Sequence, residues 1–350
     1  MIARIPFAVF ACALAASTSA AAGTGQDSLG ALFDARDIPV TIDNFVRAAT
    51  DLEMGKYLAI SGGVNRLAHL REPTNVDQQP TIRMNRDTLY SMAVIDISEG
   101  ATLTLPEVGE RYISAQFVTQ DHYMPKVFVG GGTYTLDMET FETPYVVMII
   151  RTLVDASDPD DLAEVHALQD RITLTANSSK PFIVPDYDEE SFENVLDAAN
   201  SLARFIADST RTFGPRDRVD PIRHLLGAAF GWGGLPETAA FYLNVEPFLP
   251  VGAYKLDVPA DVPVGAFWSV SLDNAGGRFE KNALGAYNIN SVTGERNDDG
   301  SITVHFGDCG DGRVNCLPIM EGWNYTVRLY QPLPEVVDGS WVFPSVGPYE

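Results

Sequence analysis

Two short polar blocks in the first half of the chain hold the side chains best suited to chemistry. The first contains Asp87 and lies just before a predicted strand, and the second contains Asp121 and His122 and follows another predicted strand. An imidazole close to a carboxylate titrates near neutral pH, where it can accept and return a proton. We therefore predict that Asp87, Asp121 and His122 are catalytic acid/base residues.

Arginine and tyrosine side chains in and near these blocks are the expected substrate-binding groups. Arg86 or Arg111 could hold an anionic group, and Tyr90 and Tyr123 offer hydroxyl and ring contacts. A structural alternative stays open, because Asp87 followed by a threonine can stabilise a turn through backbone hydrogen bonds. In that alternative, Arg86 or Arg111 forms a structural ion pair with Asp87.

Several catalytic and cofactor motifs do not occur in the sequence. There is no Gly-x-Ser-x-Gly elbow, and neither a phosphate-binding loop nor a dinucleotide-binding glycine motif follows a suitable strand. Gly130, Gly131 and Gly132 are instead interpreted as a hairpin turn. The histidines lack the spacing of a zinc site, and Asp308 and Asp311 lack that of a calcium loop. No cofactor and no metal are predicted.

The first residues have the pattern of a secretory signal peptide. Arg4 precedes an apolar stretch, and small residues follow that stretch up to Ala22. The stretch is shorter than the ~20 residues that a membrane span needs, and Phe10 makes Cys12 a poor lipoprotein site. We predict cleavage after Ala20 or Ala22 and a periplasmic or secreted location.

The two cysteines that remain after cleavage predict a disulfide. Cys309 and Cys316 flank a loop rich in glycine and aspartate, and an even number of cysteines in an exported protein is typical of a structural disulfide. A zinc site would need further ligands, and no histidine lies within the loop. Because the loop is short, the expected entropic stabilisation is modest.

The strong negative charge of the chain narrows its range of partners. The sequence has 47 acidic and 24 basic residues and a net charge of -23. Such a field repels nucleic acid and anionic membrane surfaces, and no later segment is apolar and long enough for stable membrane insertion. The expected partner is a small molecule or carbohydrate ligand, and a homo-oligomer is left open.

The tryptophans offer a second route to ligand binding. Trp232, Trp268, Trp323 and Trp341 could stack on sugar rings in a cleft. The stronger interpretation is that Trp268, which lies in an apolar strand-like segment, packs in a core.

The spacing of apolar residues predicts a mainly β protein with helical connectors, an α+β fold. Short segments rich in β-branched and aromatic residues recur in two regions. A helix is predicted to begin at Asp158 and Pro159, and the region from Arg211 to Pro236 is interpreted as a connector because of its glycines and prolines. The predicted boundaries are 1–22 for the signal peptide, 23–75 for an N-terminal helical segment, 76–175 for a first β module, 176–250 for a helical connector and 251–350 for a second β module.

Several sequence motifs resemble two bacterial modules that occur together. The motifs that resemble the module called domain of unknown function 1254 are Met84–Ser91, Gly109–Tyr112 and Val165–Asp170. The motifs that resemble its usual partner, domain of unknown function 1214, are Ala266–Val270, Asp299–Thr303, Leu317–Pro318 and Val327–Pro332. The resemblance implies two β-sandwich modules joined by helices, the second of them jelly-roll-like, and no particular activity.

Two motifs depart from the usual pattern of this family. Asn315-Cys316-Leu317-Pro318 stands where the family usually has Asn-Trp-Leu-Pro, and Gly285-Ala286-Tyr287 stands where it usually has Asn-Arg-Tyr. If that tryptophan or arginine contacts a ligand in relatives, this chain lacks the contact.

Two hypotheses about function follow from the sequence. The first is an exported hydrolase or lyase that acts on a carbohydrate or a related envelope compound by acid/base catalysis. The alternative is a non-catalytic ligand-binding or assembly protein of the periplasm, because sandwich modules often serve recognition. The concentration of polar residues in two blocks of one module favours the enzyme.

Overall fold

The structure is a computed structural model that describes residues 37–79, 82–206 and 208–349. The predicted signal peptide lies outside the described residues. Within them, no helix combines the length and the apolar character needed to cross a membrane. This part of the chain consists mainly of β-sheets with helices as connectors, as the sequence predicts.

Two sheets pack face to face in the first half of the described chain. Their strands are β1 (Ala68–His69), β2 (Thr88–Asp96), β3 (Ala101–Leu105), β4 (Ile113–Thr119), β5 (Val127–Val129), β6 (Gly132–Leu136), β7 (Tyr145–Leu153) and β8 (Thr173–Ala176). The larger sheet has the order β1-β2-β7-β4-β5 and the smaller one the order β6-β3-β8. Residues such as Ile95, Leu103, Phe117 and Met148 form the core between them.

A second pair of sheets forms the other sandwich. Its strands are β9 (Ala240–Val245), β10 (Tyr254–Val258), β11 (Trp268–Asp273), β12 (Asn288–Asn290), β13 (Ile302–Phe306), β14 (Cys316–Leu317), β15 (Asn324–Tyr330) and β16 (Gly347–Pro348). The sheets have the orders β12-β11-β15-β9 and β14-β13-β10-β16. Val304 and Phe306 point into the core between them, as the alternation of apolar residues in β13 predicts. Trp268 is 3% exposed in this core, which confirms its predicted position.

The described residues form the helices α1 (Phe45–Ser61), α2 (Met138–Phe141), α3 (Pro159–Asp170), α4 (Glu189–Ala203), α5 (Pro221–Phe230) and α6 (Pro334–Val337). Of these, α1 covers one end of the outer face of the larger first sheet, and α4 and α5 pack against α1. Phe45 of α1 stacks on Phe192 of α4, with 5.5 Å between the ring centroids. Met54 of α1 packs against Val94 and Val118 on the sheet. The other end of that face is left for contacts with the second sandwich.

Capping residues explain where two of these helices begin. The Asp158 side chain accepts a hydrogen bond from the Asp160 backbone N–H, and Pro159 opens α3, as predicted. The glycines and prolines of residues 211–236 predict a connector, and this region contains the helix α5. Asp220 and Pro221 start α5 with the same signals that start α3, but the surrounding glycines and prolines obscured them.

The prediction of a hairpin turn at Gly130, Gly131 and Gly132 is wrong. The strands on either side of these glycines belong to different sheets, because β5 pairs with β4 and β6 pairs with β3. The glycines therefore carry the chain from one sheet of the sandwich to the other. Gly130 and Gly132 have positive φ angles of 89° and 144°, which favour glycine.

Cys309 and Cys316 form the predicted disulfide, which closes the loop between β13 and β14. We expect that replacing both cysteines by alanine lowers the free energy of unfolding by about 2–3 kcal/mol, because a short closed loop restricts the unfolded chain only modestly. Urea unfolding of the double variant and the unchanged protein tests this. Equal stabilities would contradict the entropic account of the disulfide.

Candidate functional site

The outer face of the larger first sheet changes from apolar to polar along β7. Met148 and Ile150 point into the sandwich core, so the alternate residues Ile149 and Arg151 lie on the outer face. Ile149 belongs to the apolar cluster formed with Met54 of α1. Arg151 follows it near the end of the strand and is 8% exposed. A charged side chain is thus buried outside the apolar core.

A row of polar residues crosses the sheet at Arg151. Tyr90 on β2 and Ser114 on β4 are its direct cross-strand neighbours, and such neighbours are close enough to interact. The guanidinium carbon of Arg151 lies 5.5 Å from the centroid of the Tyr90 ring. The Tyr112 hydroxyl donates a hydrogen bond of 2.8 Å to Ser114.

The second sandwich presents a row of the same composition. Val327 and Leu329 of β15 point into its core, so Arg328 points outward. Its cross-strand neighbours are Tyr242 on β9 and Ser269 on β11. The row Tyr242–Arg328–Ser269 therefore repeats the row Tyr90–Arg151–Ser114 of the first sandwich in residue type.

Hydrogen bonds join the polar faces of the two sandwiches. Asn85 donates through Nδ2 to the Tyr90 hydroxyl at 3.2 Å and to the Tyr330 hydroxyl at 3.1 Å. The two asparagines of β12 donate to Oδ1 of Asp87 at 2.6 and 3.3 Å. We use the name intermodule layer for the two rows together with Asn85, Asp87, Asn288, Asn290 and Tyr330.

Arg328 has hydrogen-bond acceptors on both sides of the layer. Its Nη1 donates to the Ser271 hydroxyl at 2.6 Å, and its Nη2 donates to the carbonyl oxygens of Arg83 and Met84 at 2.8 and 2.9 Å. Burial lowers the pKa of Arg328, but its charged and phenolic neighbours raise it above the ordinary value. Arg328 is therefore a cation that ties the segment before β2 to the second sandwich.

Arg151 is buried in the same layer but has fewer partners. Its Nη1 donates to Oε1 of Gln116 at 2.8 Å. No aspartate or glutamate among the described residues lies within ion-pair distance of it. Burial lowers the pKa of Arg151, and nearby tyrosines, Tyr90 and Tyr242 foremost, raise it above the ordinary value. The layer thus contains a cation with no anionic partner among the described residues.

The residues of the layer differ in exposure. Two tyrosines are partly exposed, and two other residues hold buried oxygen atoms that are free to accept hydrogen bonds. Tyr90 and Tyr242 are half-buried, whereas Asp87 and Ser269 are fully buried. Burial raises the pKa of Tyr242, and Arg151 and then Arg328 lower it in part. This ring therefore lies within electrostatic range of both guanidinium groups. In the part of the chain that the structure describes, Oδ2 of Asp87 and Oγ of Ser269 have no hydrogen-bond partner.

The predicted residue His122 is buried away from this layer. Its φ angle is 61°, its Nε2 accepts a 3.0 Å hydrogen bond from the Gly233 backbone N–H, and its ring stacks on Trp232 with centroids 5.6 Å apart. Burial, with a smaller contribution from His224, lowers the pKa of His122 to about 3. The imidazole is therefore neutral at physiological pH.

Asp121 and Tyr123 border a surface cleft of about 400 Å³. Asp121 accepts a hydrogen bond from Nε of Arg47 at 3.0 Å and lies 3.7 Å from Nη2 of Arg216. The Tyr123 ring lies between the guanidinium of Arg216, at 4.2 Å, and the ring of His224, at 4.4 Å. Both faces of Tyr123 are therefore occupied by protein side chains.

The two predicted anion-binding arginines have protein partners. Arg86 donates to the carbonyl oxygen of Thr74 and lies 4.8 Å from the centroid of the Tyr287 ring. Arg111 forms ion pairs with Asp161 at 2.5 Å and with Glu164 at 3.2 Å, both on α3. The hydrogen bond with Asp161 raises the pKa of Arg111, and burial opposes it.

The structure separates the predicted acid/base residues. Asp87 and Tyr90 lie in the intermodule layer, whereas Asp121, His122 and Tyr123 follow β4 at another place. Within the described ranges, no hydrogen bond or ion pair joins Asp87 to Asp121 or His122. The catalytic and substrate-binding roles of all these residues stay predictions.

The sequence also contains a signal for Arg151 and Arg328, which lie outside the two polar blocks. Arg151 is the only charged residue of β7, and Arg328 is the only one of β15. A lone arginine inside a strand rich in apolar residues indicates a buried cation, and a buried cation calls for a partner. Searching strands for such exceptions would have found both rows.

Comparisons with known proteins agree with this two-sandwich architecture. The family described as protein of unknown function DUF1254 matches residues 64–176, and the family described as protein of unknown function DUF1214 matches residues 246–334. The chain therefore belongs to the family of proteins that combine these two modules. None of the curated proteins matches this chain in sequence.

Two solved structures are similar to this chain. The VPA0106 protein from Vibrio parahaemolyticus is 17% identical, with a TM-score of 0.65, and the match covers 89% of this chain and 100% of that chain. An uncharacterised protein from Burkholderia cenocepacia is 15% identical, with a TM-score of 0.48 and a match that covers 93% and 90% of the two chains. The first likeness supports the fold alone.

The low pKa of His122 predicts a pH dependence of stability. Because the unfolded imidazole binds a proton near pH 6.5 and the folded one only near pH 3, stability is lost as pH falls below about 6.5. Between pH 7 and pH 5, we expect His122→Gln to lose about 2 kcal/mol less than the unchanged protein. Urea unfolding at both pH values measures the difference, and equal losses would contradict burial of a neutral imidazole.

Proposed function

We propose that this protein binds a small organic anion in the intermodule layer and that Arg151 receives the negative charge. The observation that carries the proposal is the burial of Arg151 as a cation with no carboxylate partner among the described residues. Charges buried in proteins are normally paired, because an isolated one costs several kcal/mol. A ligand anion supplies the missing partner.

The surroundings of Arg151 suit a carboxylate ligand. A guanidinium binds a carboxylate through two parallel N–H···O hydrogen bonds, and Arg151 uses only Nη1, in its bond to Gln116. Its neighbours Tyr90 and Tyr242 are half-buried and present accessible surface beside it. The layer therefore combines a charged donor group with the hydroxyl groups of two partly exposed tyrosines.

Export of the protein would place this site outside the cytoplasm. The Cys309–Cys316 disulfide is compatible with an oxidising compartment, and the sequence of residues 1–22 predicts a signal peptide. The proposed ligand is thus a small molecule that the protein meets in the periplasm or after secretion.

A pair of arginine variants separates a binding role from a structural one. We expect Arg151→Met to leave the ligand-free protein at least as stable as before, because it removes a buried charge that lacks a counter-charge. Arg328→Met should lower the free energy of unfolding by about 3 kcal/mol or more, because it leaves the carbonyl oxygens of Arg83 and Met84 without donors.

Urea unfolding of both variants measures this difference. Strong destabilisation by Arg151→Met, comparable with that by Arg328→Met, would show that Arg151 is a structural cation and would contradict the proposal.

Thermal unfolding with small carboxylates tests binding itself. A carboxylate at ~100 times its dissociation constant should stabilise the folded protein by about 2.7 kcal/mol. Arg151→Met should abolish this effect, whereas replacement of the exposed Arg218 by methionine should preserve it. A carboxylate that stabilises Arg151→Met as strongly as the unchanged protein would contradict binding at Arg151.

A second candidate function is the hydrolase or lyase that the sequence favours, acting on a carbohydrate or related envelope compound. The observation in its favour is the unpartnered Oδ2 of Asp87, because a carboxylate oxygen with a free lone pair can accept a proton. Asp121 beside the surface cleft is the other carboxylate proposed for this role.

Product formation by aspartate variants distinguishes a site in the intermodule layer from a site at the surface cleft. If the protein is an enzyme, incubation with neutral and acidic oligosaccharides should release new reducing ends or unsaturated products. Loss of turnover in Asp87→Asn would support chemistry in the intermodule layer, and loss in Asp121→Asn would support chemistry at the cleft. No product from any of these oligosaccharides would contradict the enzyme proposal.

A further inference from the structure

We infer that the ligand of the intermodule layer is a hydroxy acid of the sugar-acid class. Its carboxylate pairs with Arg151, and one of its hydroxyl groups donates a hydrogen bond to Oδ2 of Asp87. This inference rests on the proposed anion-binding function and adds the second recognition point.

Asp87 provides that second point because only half of its carboxylate is used. The residue is 0% exposed, and the two asparagines of β12 both donate to Oδ1. Oδ2 has no partner, and the hydrogen bonds of the nearby Arg328 go to Ser271, Arg83 and Met84 instead. A buried carboxylate oxygen without a donor is costly, so a ligand donor at Oδ2 stabilises the complex.

The separation of Asp87 and Arg151 favours a ligand about the size of a sugar ring. Tyr90 is the direct cross-strand neighbour of Arg151, and Asp87 lies three residues before Tyr90, immediately ahead of β2. Three residues of extended backbone span ~10 Å. In an α-amino acid, the amino and carboxylate groups are attached to the same carbon atom. They are therefore too close together to contact both Arg151 and Asp87.

The other groups of the layer are suited to hydroxyls rather than to a second charge. Oγ of Ser269 is buried without a partner, and the Tyr330 hydroxyl accepts a hydrogen bond from Asn85 and keeps its own proton to donate. Both are neutral groups that can donate or accept.

Four compounds with related six-membered rings test the inference. D-glucuronate carries the carboxylate and the hydroxyls, cyclohexanecarboxylate only the carboxylate, D-glucose only the hydroxyls, and trans-4-aminocyclohexanecarboxylate a carboxylate with an ammonium group. Dissociation constants are measured by titration calorimetry. We expect glucuronate to bind at least tenfold more tightly than each of the other three, because only glucuronate satisfies both Arg151 and Asp87.

Variants then assign the preference to particular residues. Asp87→Asn keeps an acceptor for the β12 asparagines but changes Oδ2, so it should weaken glucuronate binding at least tenfold and leave cyclohexanecarboxylate binding unchanged. Ser269→Ala should weaken glucuronate binding several-fold. Asp257→Asn, at an exposed carboxylate, is the matched control and should change neither. Circular dichroism and thermal unfolding show whether each variant is folded.

The possible outcomes distinguish the inference from the function on which it rests. Equal affinities for glucuronate and cyclohexanecarboxylate, both lost in Arg151→Met, would overturn the sugar-acid inference and leave anion binding intact. Tighter binding of the amino compound would likewise overturn it in favour of an amino acid. Binding of none of the four compounds would overturn both proposals. If Asp87→Asn failed to fold, unchanged glucuronate binding by Ser269→Ala would still contradict the inference.

Discussion

Arg328 is the residue on which the arrangement of the two sandwiches depends. The residue is 3% exposed, and its guanidinium donates hydrogen bonds to Ser271 on its own sheet and to the carbonyl oxygens of Arg83 and Met84. These bonds hold the segment that leads into β2 against the second sandwich. Asn85, Asp87 and Tyr90 follow that segment directly, and their positions in the layer are therefore set by the second sandwich.

Arg328 and Arg151 differ in role. Arg328 stabilises the contact between the sandwiches, and Arg151 is the proposed ligand-binding residue. Arg328 has several acceptors and carboxylates in its surroundings, whereas Arg151 has one amide acceptor and a group of tyrosines. Two sheets that bury their outer faces against each other are stabilised most simply by apolar side chains. A buried polar layer is less stabilising than that, and natural proteins accept such conflicts mainly at functional sites. The buried polar layer therefore supports the proposed ligand site between the modules.

Much of the architecture was predictable from the sequence, because strand patterns and capping residues act locally. The alternation in β13, the cap at Asp158 and the disulfide all follow from neighbouring residues. The route of the chain at Gly130–Gly132 did not, because the partner of a strand is chosen by distant residues. For the same reason, sequence alone could predict polar blocks around Asp87 and Asp121 but not that they lie in different places.

The site itself was predictable only in part. Asp87 and Tyr90 stood out as polar residues at a strand end, but Arg151 and Arg328 lie within strands, where the apolar pattern draws attention to the core. Their pairing with tyrosine and serine across neighbouring strands depends on register. Register depends on the packing of whole sheets. It is therefore not evident from residues that are consecutive in the sequence.

A crystal structure of the protein grown with D-glucuronate would show directly whether a ligand binds between the two sandwiches. We predict ligand density between the Tyr90–Arg151–Ser114 row and the Tyr242–Arg328–Ser269 row, with the carboxylate within hydrogen-bond distance of the Arg151 guanidinium. Clear density at another place, such as the cleft beside Asp121, together with an intermodule layer that contains no ligand, would contradict it.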